Sequence, residues 1–396
     1  MKNIFLITVL FISLQSCGQN MSFTKGLVTE RNYYSEIKFE YVSEKIIIPV
    51  TIQNKEYKFL LDTGAPNVIS AEFAKKIKTK AIGSLKVSDA SNKKNTLDMV
   101  SIPLIQFGGL NFKNTTALVD NTLKNLVFDC FNIDGIIGSN MLYKSILQID
   151  LKRKLIILTD KEKRLKLDKS KATKLSLLKS QKSPYIWVNI EGNKKAREHL
   201  LIDTGMKGFY DLSKENFNLL QKNKVFNIHN TGEGSNGISI FGAAEKGKQY
   251  RIIVPKLKIN NTEFNTIVTE TTNDDNSRIG TKILNHGVLT IDFKNKRFYL
   301  DSEKNAVKIN KKHFGFNLTI KNDNLAVGIV WDDSLKNDIE FGDEIIDVNG
   351  LDLENIPVCK FLNSESIFKK DISYDITFRK NDGTIKKLNV KKSYLK

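Results

Sequence analysis

Cysteine is scarce in this 396-residue chain, which has only Cys17, Cys130 and Cys359. None stands at CxxC spacing, so neither a disulfide framework nor a zinc site is expected. The four histidines, His199, His229, His286 and His313, lie far apart without ligand spacing, and no metal or other cofactor is expected. No apolar run reaches roughly eighteen residues, which argues against a transmembrane helix. Acidic residues are outnumbered, 44 against 62 basic, for a net charge of +18. Such a charge attracts nucleic acid or anionic lipid. The lysines are scattered, however, with no RNP-like or zinc-finger pattern. They read as a solvated surface, and no nucleic-acid partner is expected. Hydrophobic residues at 40% and charged residues at 27% are ordinary for folded material, and the length calls for two or three domains.

The first residues read as an address. Lys2 gives a positive start, and Ile4 to Leu14 is apolar apart from Thr8 and Ser13. That is long enough for a signal-peptide core and too short to span a bilayer. Leu14-Gln15-Ser16-Cys17 then resembles the lipobox of bacterial lipoproteins. The resemblance implies removal of residues 1–16, lipidation of Cys17 and firm membrane attachment through several acyl chains. The expected location is the bacterial cell envelope, with residues 17–38 as a tether.

A duplication follows. Phe59-Leu60-Leu61-Asp62-Thr63-Gly64 recurs as Leu200-Leu201-Ile202-Asp203-Thr204-Gly205. An apolar strand pattern precedes each copy. Gly135-Ile136-Ile137-Gly138 follows the first, and Arg278-Ile279-Gly280 follows the second. Gly138 trails Asp62 by 76 residues and Gly280 trails Asp203 by 77. Chance supplies one such triplet easily, but not two with matched context and spacing. Two homologous lobes are therefore expected, at 39–160 and 183–302, joined by a lysine- and serine-rich connection at 161–182. Short runs of valine, isoleucine and threonine between Asn, Gly and Asp turns make both mostly β. Val87 to Pro103 and the glycine-rich Gly232 to Lys248 occupy equivalent places, and the second reads as a mobile hairpin or loop.

An aspartate after three apolar residues is expected to be buried, and the glycine two places on permits a tight turn. A single copy is equally a structural turn. Two copies related by a pseudo-twofold axis would bring the carboxylates face to face. Both cannot ionise cheaply, so one proton is shared and the two pKa values split.

These motifs, with Asp134-Gly135-Ile136-Ile137-Gly138-Ser139-Asn140-Met141-Leu142 and Arg278-Ile279-Gly280-Thr281-Lys282-Ile283-Leu284, resemble the pepsin and retropepsin superfamily. They are most similar to bacterial retropepsin-like peptidases with a C-terminal PDZ domain. The resemblance implies a bilobal acid-protease β fold with a flap over the cleft. It implies catalytic roles for Asp62 and Asp203, an interlock by Thr63 and Thr204, tight turns at Gly64 and Gly205, and packing of Gly138 and Gly280 behind those turns. The mechanism, a water activated between two aspartates, is the superfamily's own. Met206 departs from the small residue expected after the second triplet, where Ala65 fits the first. Lys207 is placed to pair with a carboxylate, and Arg278 stands where the first half has Ile136.

From 310 to 396 the pattern changes. Phe341-Gly342-Asp343-Glu344-Ile345-Ile346-Asp347-Val348-Asn349-Gly350 resembles a PDZ signature. Helices are expected at Leu335–Glu340 and Asn355–Ser364, and strands at Phe316–Ile320, Ala326–Val330, Ser373–Arg379 and Ile385–Val390. The PDZ likeness implies peptide capture by strand addition, with a C-terminal carboxylate held by the amides of Phe314, Gly315 and Phe316. His313 replaces a glycine of that family pattern.

Together these features read as an aspartic endopeptidase acting on polypeptide, anchored through Cys17 and sufficient as a monomer because both half-sites lie on one chain. The alternatives are a catalytically silent peptide-binding lipoprotein and a structural envelope protein.

Overall fold

The computed structural model describes residues 23–395, apart from 123–124, 236–237, 240–241, 310, 364–366 and 369–371. The leader, Cys17, Gly237 and Phe241 lie outside the described residues. The chain is mostly β.

In the first half, Lys45–Ile52 and Lys55–Asp62 form an antiparallel hairpin, turned by Gln53 and Asn54 in left-handed conformations (φ 52° and 60°). Lys55–Asp62 runs parallel to Gly135–Gly138, which pairs with Val68–Ser70. Val68–Ser70 runs parallel to Leu110–Asp120, which pairs with Lys94–Phe107. That strand returns to the first at Thr51 and Gln106, closing a barrel. The second half repeats the circuit. Ser183–Glu191 pairs with Lys195–Ile202, which runs parallel to Arg278–Ile279. The path then goes through Tyr210–Ser213, Thr262–Thr272 and Gly247–Ile259, and back to the first strand at Asn189 and Lys258. The matched spacings in the sequence thus correspond to matched strand positions.

The halves share a sheet. Ile146–Asp150 of the first pairs with Val288–Asp292 of the second, flanked by Leu155–Thr159 and Arg297–Asp301. Alternating apolar residues from both halves merge into one core, with Ile149, Ile156, Leu289, Ile291 and Phe298 fully or nearly fully buried. Residues 23–38, expected as part of a tether, are packed instead. Phe23 and Tyr33 are buried, and Tyr34–Lys38 pairs with Leu155–Thr159. The connection at 161–182 is likewise structured, because Thr173–Leu178 pairs with both Ser183–Glu191 and Arg297–Asp301.

The C-terminal unit has a separate core around Phe316, Val327, Ile345, Tyr374 and Phe378. Phe316–Lys321 and Asn324–Val330 form a hairpin, and Glu344–Val348, Ser373–Arg379 and Ile385–Lys391 extend the sheet. Asp343 is fully buried and acts structurally. It accepts from the amides of Glu340 (2.8 Å) and Asn381 (3.0 Å) and pairs with Lys380 (2.9 Å). No helix forms over 335–340. The chain makes a 3-10 turn at Asp333–Leu335, capped by the Asp332 side chain, which takes over local bonding. The second expected helix is shorter and runs from Val358 to Asn363. Pro357 restricts the residue before it to extended backbone and so delays the start.

A disulfide and a buried ion-pair network are among the connections that hold this unit to the rest. A disulfide joins Cys130, on helix Leu126–Phe131, to Cys359, on helix Val358–Asn363. The expectation of no disulfide is therefore corrected: the partners stand 229 residues apart, and spacing rules register only close pairs. On the second half, Arg251 is buried. It bonds Glu270 (2.7 and 3.0 Å), the carbonyl of Phe314 (3.1 Å) and Asn317 (2.9 Å), and lies 4.7 Å from the Trp331 ring. A charge this deep is tolerable only with such a full set of partners.

The hairpin expected to be mobile is partly docked. Gly234 of strand Ile228–Gly234 pairs with Ile329 of the C-terminal unit. A methyl group at Gly232 would lie 2.5 Å from Ile329 and 2.7 Å from the Val330 carbonyl. The glycines permit this close strand approach.

Candidate active site

Each aspartate ends an apolar strand at a tight turn. Asp62 Oδ1 accepts from the amides of Gly64 (2.9 Å) and Ala65 (3.0 Å). Asp203 Oδ1 accepts in the same way from Gly205 (2.8 Å) and Met206 (3.1 Å). Thr63 and Thr204 cross-link the turns. The Thr63 amide donates to Thr204 Oγ1 (3.0 Å) and the Thr204 amide to Thr63 Oγ1 (3.1 Å). Their hydroxyls donate across to the carbonyls of Ile202 (2.6 Å) and Leu61 (2.8 Å). Both threonines are buried. Four bonds in such a setting are strong and resist sliding of one turn past the other.

The interlock brings the carboxyl groups together. A methyl group at Gly64 would lie 2.6 Å from Asp203 Cγ, and one at Gly205 would collide with Asp62. Each carboxyl therefore sits over the other turn's glycine, and Asp62 is within hydrogen-bonding reach of Asp203. Gly138 lies in register with Asp62, and a side chain there would strike the backbone of Ala65 and Pro66. Gly280 similarly faces the carbonyls of Met206 and Gly208 (both 2.7 Å).

The electrostatics are unequal. Burial, then the adjacent Asp203, pushes the Asp62 carboxyl up to about 7, while Lys45 works in the opposite direction. Arg278 lies along the second turn, 3.4 Å from Asp203 Oδ2, 3.4 Å from Asp274 and 3.5 Å from Asp211. Although burial opposes its charge, these three carboxylates raise its pKa further. Asp211 itself is pushed up to about 6 by burial, against the pull of Arg278.

Lys45 was not anticipated as a site residue. It stands at the start of Lys45–Ile52, just after a tight turn formed by Ser43 and Glu44 with φ of 48° and 67°. Its ammonium donates to the Gly205 carbonyl, and burial lowers its pKa despite Asp62 and Asp203. Glu44 accepts from the Gly208 amide (3.1 Å) and pairs with Lys282 (3.0 Å), so this first-half turn is fastened to the second active turn. The signal available in the sequence was a cation opening an apolar strand pattern, which is too common to single out. Among the described residues Lys207 pairs with no carboxylate. It donates to the Leu362 carbonyl (3.2 Å) and lies 5.9 Å from the Phe131 ring. Met206, whose bulk broke the expected pattern, is buried against Gly280.

The hairpin Lys80–Ser88 and Lys94–Phe107 lines the same cavity as the dyad, and Asn92 at its tip donates to Asp275 of the second half (3.2 Å). That cavity, of ≈ 1070 Å³, is lined by both aspartates, Lys45, Arg278 and hairpin residues 85–91. Phe314, Gly315 and Phe316 do not line it. The Gly315 carbonyl accepts from the amides of Trp331 (2.7 Å) and Asp332 (2.9 Å), and the rings of Phe314 and Phe316 stack at 5.4 Å. Burial, then Lys311, holds His313 down to about 3, so it is neutral.

Residues 48–141 match the aspartyl protease family. The matched region holds Asp62, Thr63, Gly64 and Gly138, and so carries one of the two Asp-Thr-Gly turns. The chain is also similar to two solved structures. An aspartic proteinase from Irpex lacteus is 13% identical, with 68% of this chain and 97% of that one covered at a TM-score of 0.43. A retropepsin-like aspartic protease from Rickettsia conorii is 22% identical, with 32% and 89% covered at a TM-score of 0.24. No curated protein matches the chain. Within residues 48–141, Ala65 and Ile136 stand where the second half has Met206 and Arg278.

Proposed function

We propose that this chain is an aspartic endopeptidase with two homologous lobes and a PDZ-like C-terminal unit. One observation carries the reading: two carboxyl groups from equivalent turns lie over each other's glycines, held by reciprocal threonine bonds. Asp203, which faces Arg278, takes a proton from a water held between the two carboxyls. Asp62 keeps the shared proton and donates it to the scissile carbonyl oxygen as the water oxygen bonds to carbon. The C–N bond then breaks as Asp203 passes its proton to the leaving amine and one hydroxyl of the diol returns a proton to Asp62, which restores the dyad.

The lipobox-like Cys17 further suggests attachment to an envelope membrane. The Cys130–Cys359 disulfide supports that location, since such bonds persist in oxidising compartments. The test is to assay the mature chain against mixed peptides across pH beside Asp62→Asn. The substitution is expected to lower kcat by ~10²–10⁴-fold or more. Equal cleavage by both proteins would defeat the proposal.

The silent peptide-binding reading is favoured by one feature, the two cations Lys45 and Arg278 beside the dyad. Tight peptide binding without turnover at any pH would select it.

A further inference from the structure

The second Asp-Thr-Gly turn gathers cations that the interlock of the dyad does not use. Lys207 lies in the turn itself, four residues beyond Asp203. Lys45 donates to the Gly205 carbonyl, and the amide of Lys282 donates to the Gly208 carbonyl (3.0 Å). All three lysines line the cavity that holds both aspartates, and Lys311, from the segment leading into the C-terminal unit, lines it with them. Among the described residues, Lys282 alone of these four makes an ion pair, with Glu44 (3.0 Å). The Lys207 ammonium has the Leu362 carbonyl instead (3.2 Å). Acidic residues line the cavity as well, yet Asp211 and Asp274 already pair with Arg278, Glu270 pairs with Arg251, and Asp275 accepts from Asn92.

The crowding acts on the lysines themselves. Lys207 and Lys311 both keep contact with solvent. Partial loss of hydration nevertheless lowers their pKa values, helped by Lys45 and Lys282 beside Lys207 and by Lys282 beside Lys311, with Glu44 opposing at both. An anion placed among these ammonium groups would relieve their repulsion. Resting on the peptidase reading, we propose that this basic corner of the cleft is a subsite for a carboxylate carried by the substrate chain, held by Lys207 and Lys311. A peptide backbone is neutral, so fixed ammonium groups discriminate only where the chain brings an acid to them. A partly dehydrated cavity strengthens that contact over one made on open surface. The chain passing the dyad is then cut fastest where an Asp or Glu side chain, or a free C-terminus, falls in this corner.

The experiment uses the mature protein and one cleavable peptide of ~10 residues, spanning ~33 Å when extended and capped at both ends. Glu and then Gln are placed at each position in turn, so that charge changes at nearly constant shape. At one position kcat/KM is expected to be roughly tenfold higher for Glu than for Gln, equivalent to ~1.4 kcal/mol of extra transition-state binding. A series shortened from its C-terminal end, with and without the C-terminal cap, reads the same preference for a terminal carboxylate and separates the two sources. Lys207→Gln combined with Lys311→Gln is expected to bring the preference down to about one, whereas Lys207→Arg with Lys311→Arg keeps it. Lys311→Gln alone is the milder companion should the double variant misfold, with retention of the Cys130–Cys359 bond as the check on folding. Each ratio is taken within one variant, so a general loss of activity does not imitate the result. No preference for either kind of carboxylate in the unmodified protein, or a preference unchanged in the folded Gln variants, overturns the proposal. Failure of the unmodified protein to cleave any peptide of the set strikes instead at the peptidase reading beneath it.

Discussion

The two lobes trace the same circuit of strands yet surround their aspartates differently. Ile136 lies beside the first turn, and at the equivalent place in the second stands Arg278, touching Asp203, Asp211 and Asp274. Ala65 follows the first triplet, and buried Met206 with exposed Lys207 follows the second. The first lobe's hairpin bonds Asp275 of the second, whereas its second-lobe counterpart is drawn onto the C-terminal unit. The difference teaches that a shared strand circuit supplies position while the residues set around it supply polarity. Backbone bonds at the two turns are nearly identical, while the charge around them is not.

Making the second lobe resemble the first breaks the comparison most severely. Arg278→Ile leaves three buried or half-buried carboxylates without their shared cation. It is expected to destabilise the protein by at least ~3–5 kcal/mol, read from denaturant midpoints. Arg278→Lys keeps a charge but loses the fork that meets several acids, so a smaller loss is expected.

The next effect separates how the lobes hold the C-terminal unit. The first lobe uses a covalent bond and the second a buried ion-pair network. Cys359→Ser is expected to cost ~2–5 kcal/mol, because the bond closes a very long loop in the unfolded chain. Protection from proteolysis should fall mainly in the C-terminal unit. Equal protection with and without the bond would show that Arg251 and its partners suffice.

The smallest effect concerns pH. On the proposed mechanism Asp62 holds the shared proton, and its carboxyl is raised to about 7 by burial and then by Asp203. Activity is therefore expected to persist from acid pH towards neutrality and to fall as pH rises through about 7. Lys45 favours the ionised form of Asp62, so Lys45→Met should move this alkaline limb to higher pH by roughly one pH unit. A pH–rate profile that Lys45→Met leaves in place would remove Lys45 from the electrostatics of the dyad.

Much of the dyad was legible because its parts are local. The triplets, the trailing glycines and the interval between them are strings, and the strand circuits follow from them. The strands of the C-terminal unit were legible through alternation, and Ser373–Arg379 has the expected bounds. What escaped detection was carried by contacts distant in sequence. Lys45 meets Gly205 across 160 positions, and Cys130 meets Cys359 across 229. The helix expected over 335–340 lost to side-chain capping by Asp332 one turn earlier, a local competition that periodicity does not weigh. The packed residues 23–38 looked like a tether because their apolar members, Phe23 and Tyr33 among them, are too sparse to show a period.

The bond between Cys130 and Cys359 also orders the making of the molecule. Cys130 emerges with the first lobe, and its partner appears only once the whole second lobe has been synthesised. A polypeptide interrupted anywhere in that interval retains an unsealed sulfur and a cleft missing one side, whereas a finished one has neither. Closure of the bond thus serves as a chemical record that translation ran past the second half and into the C-terminal unit.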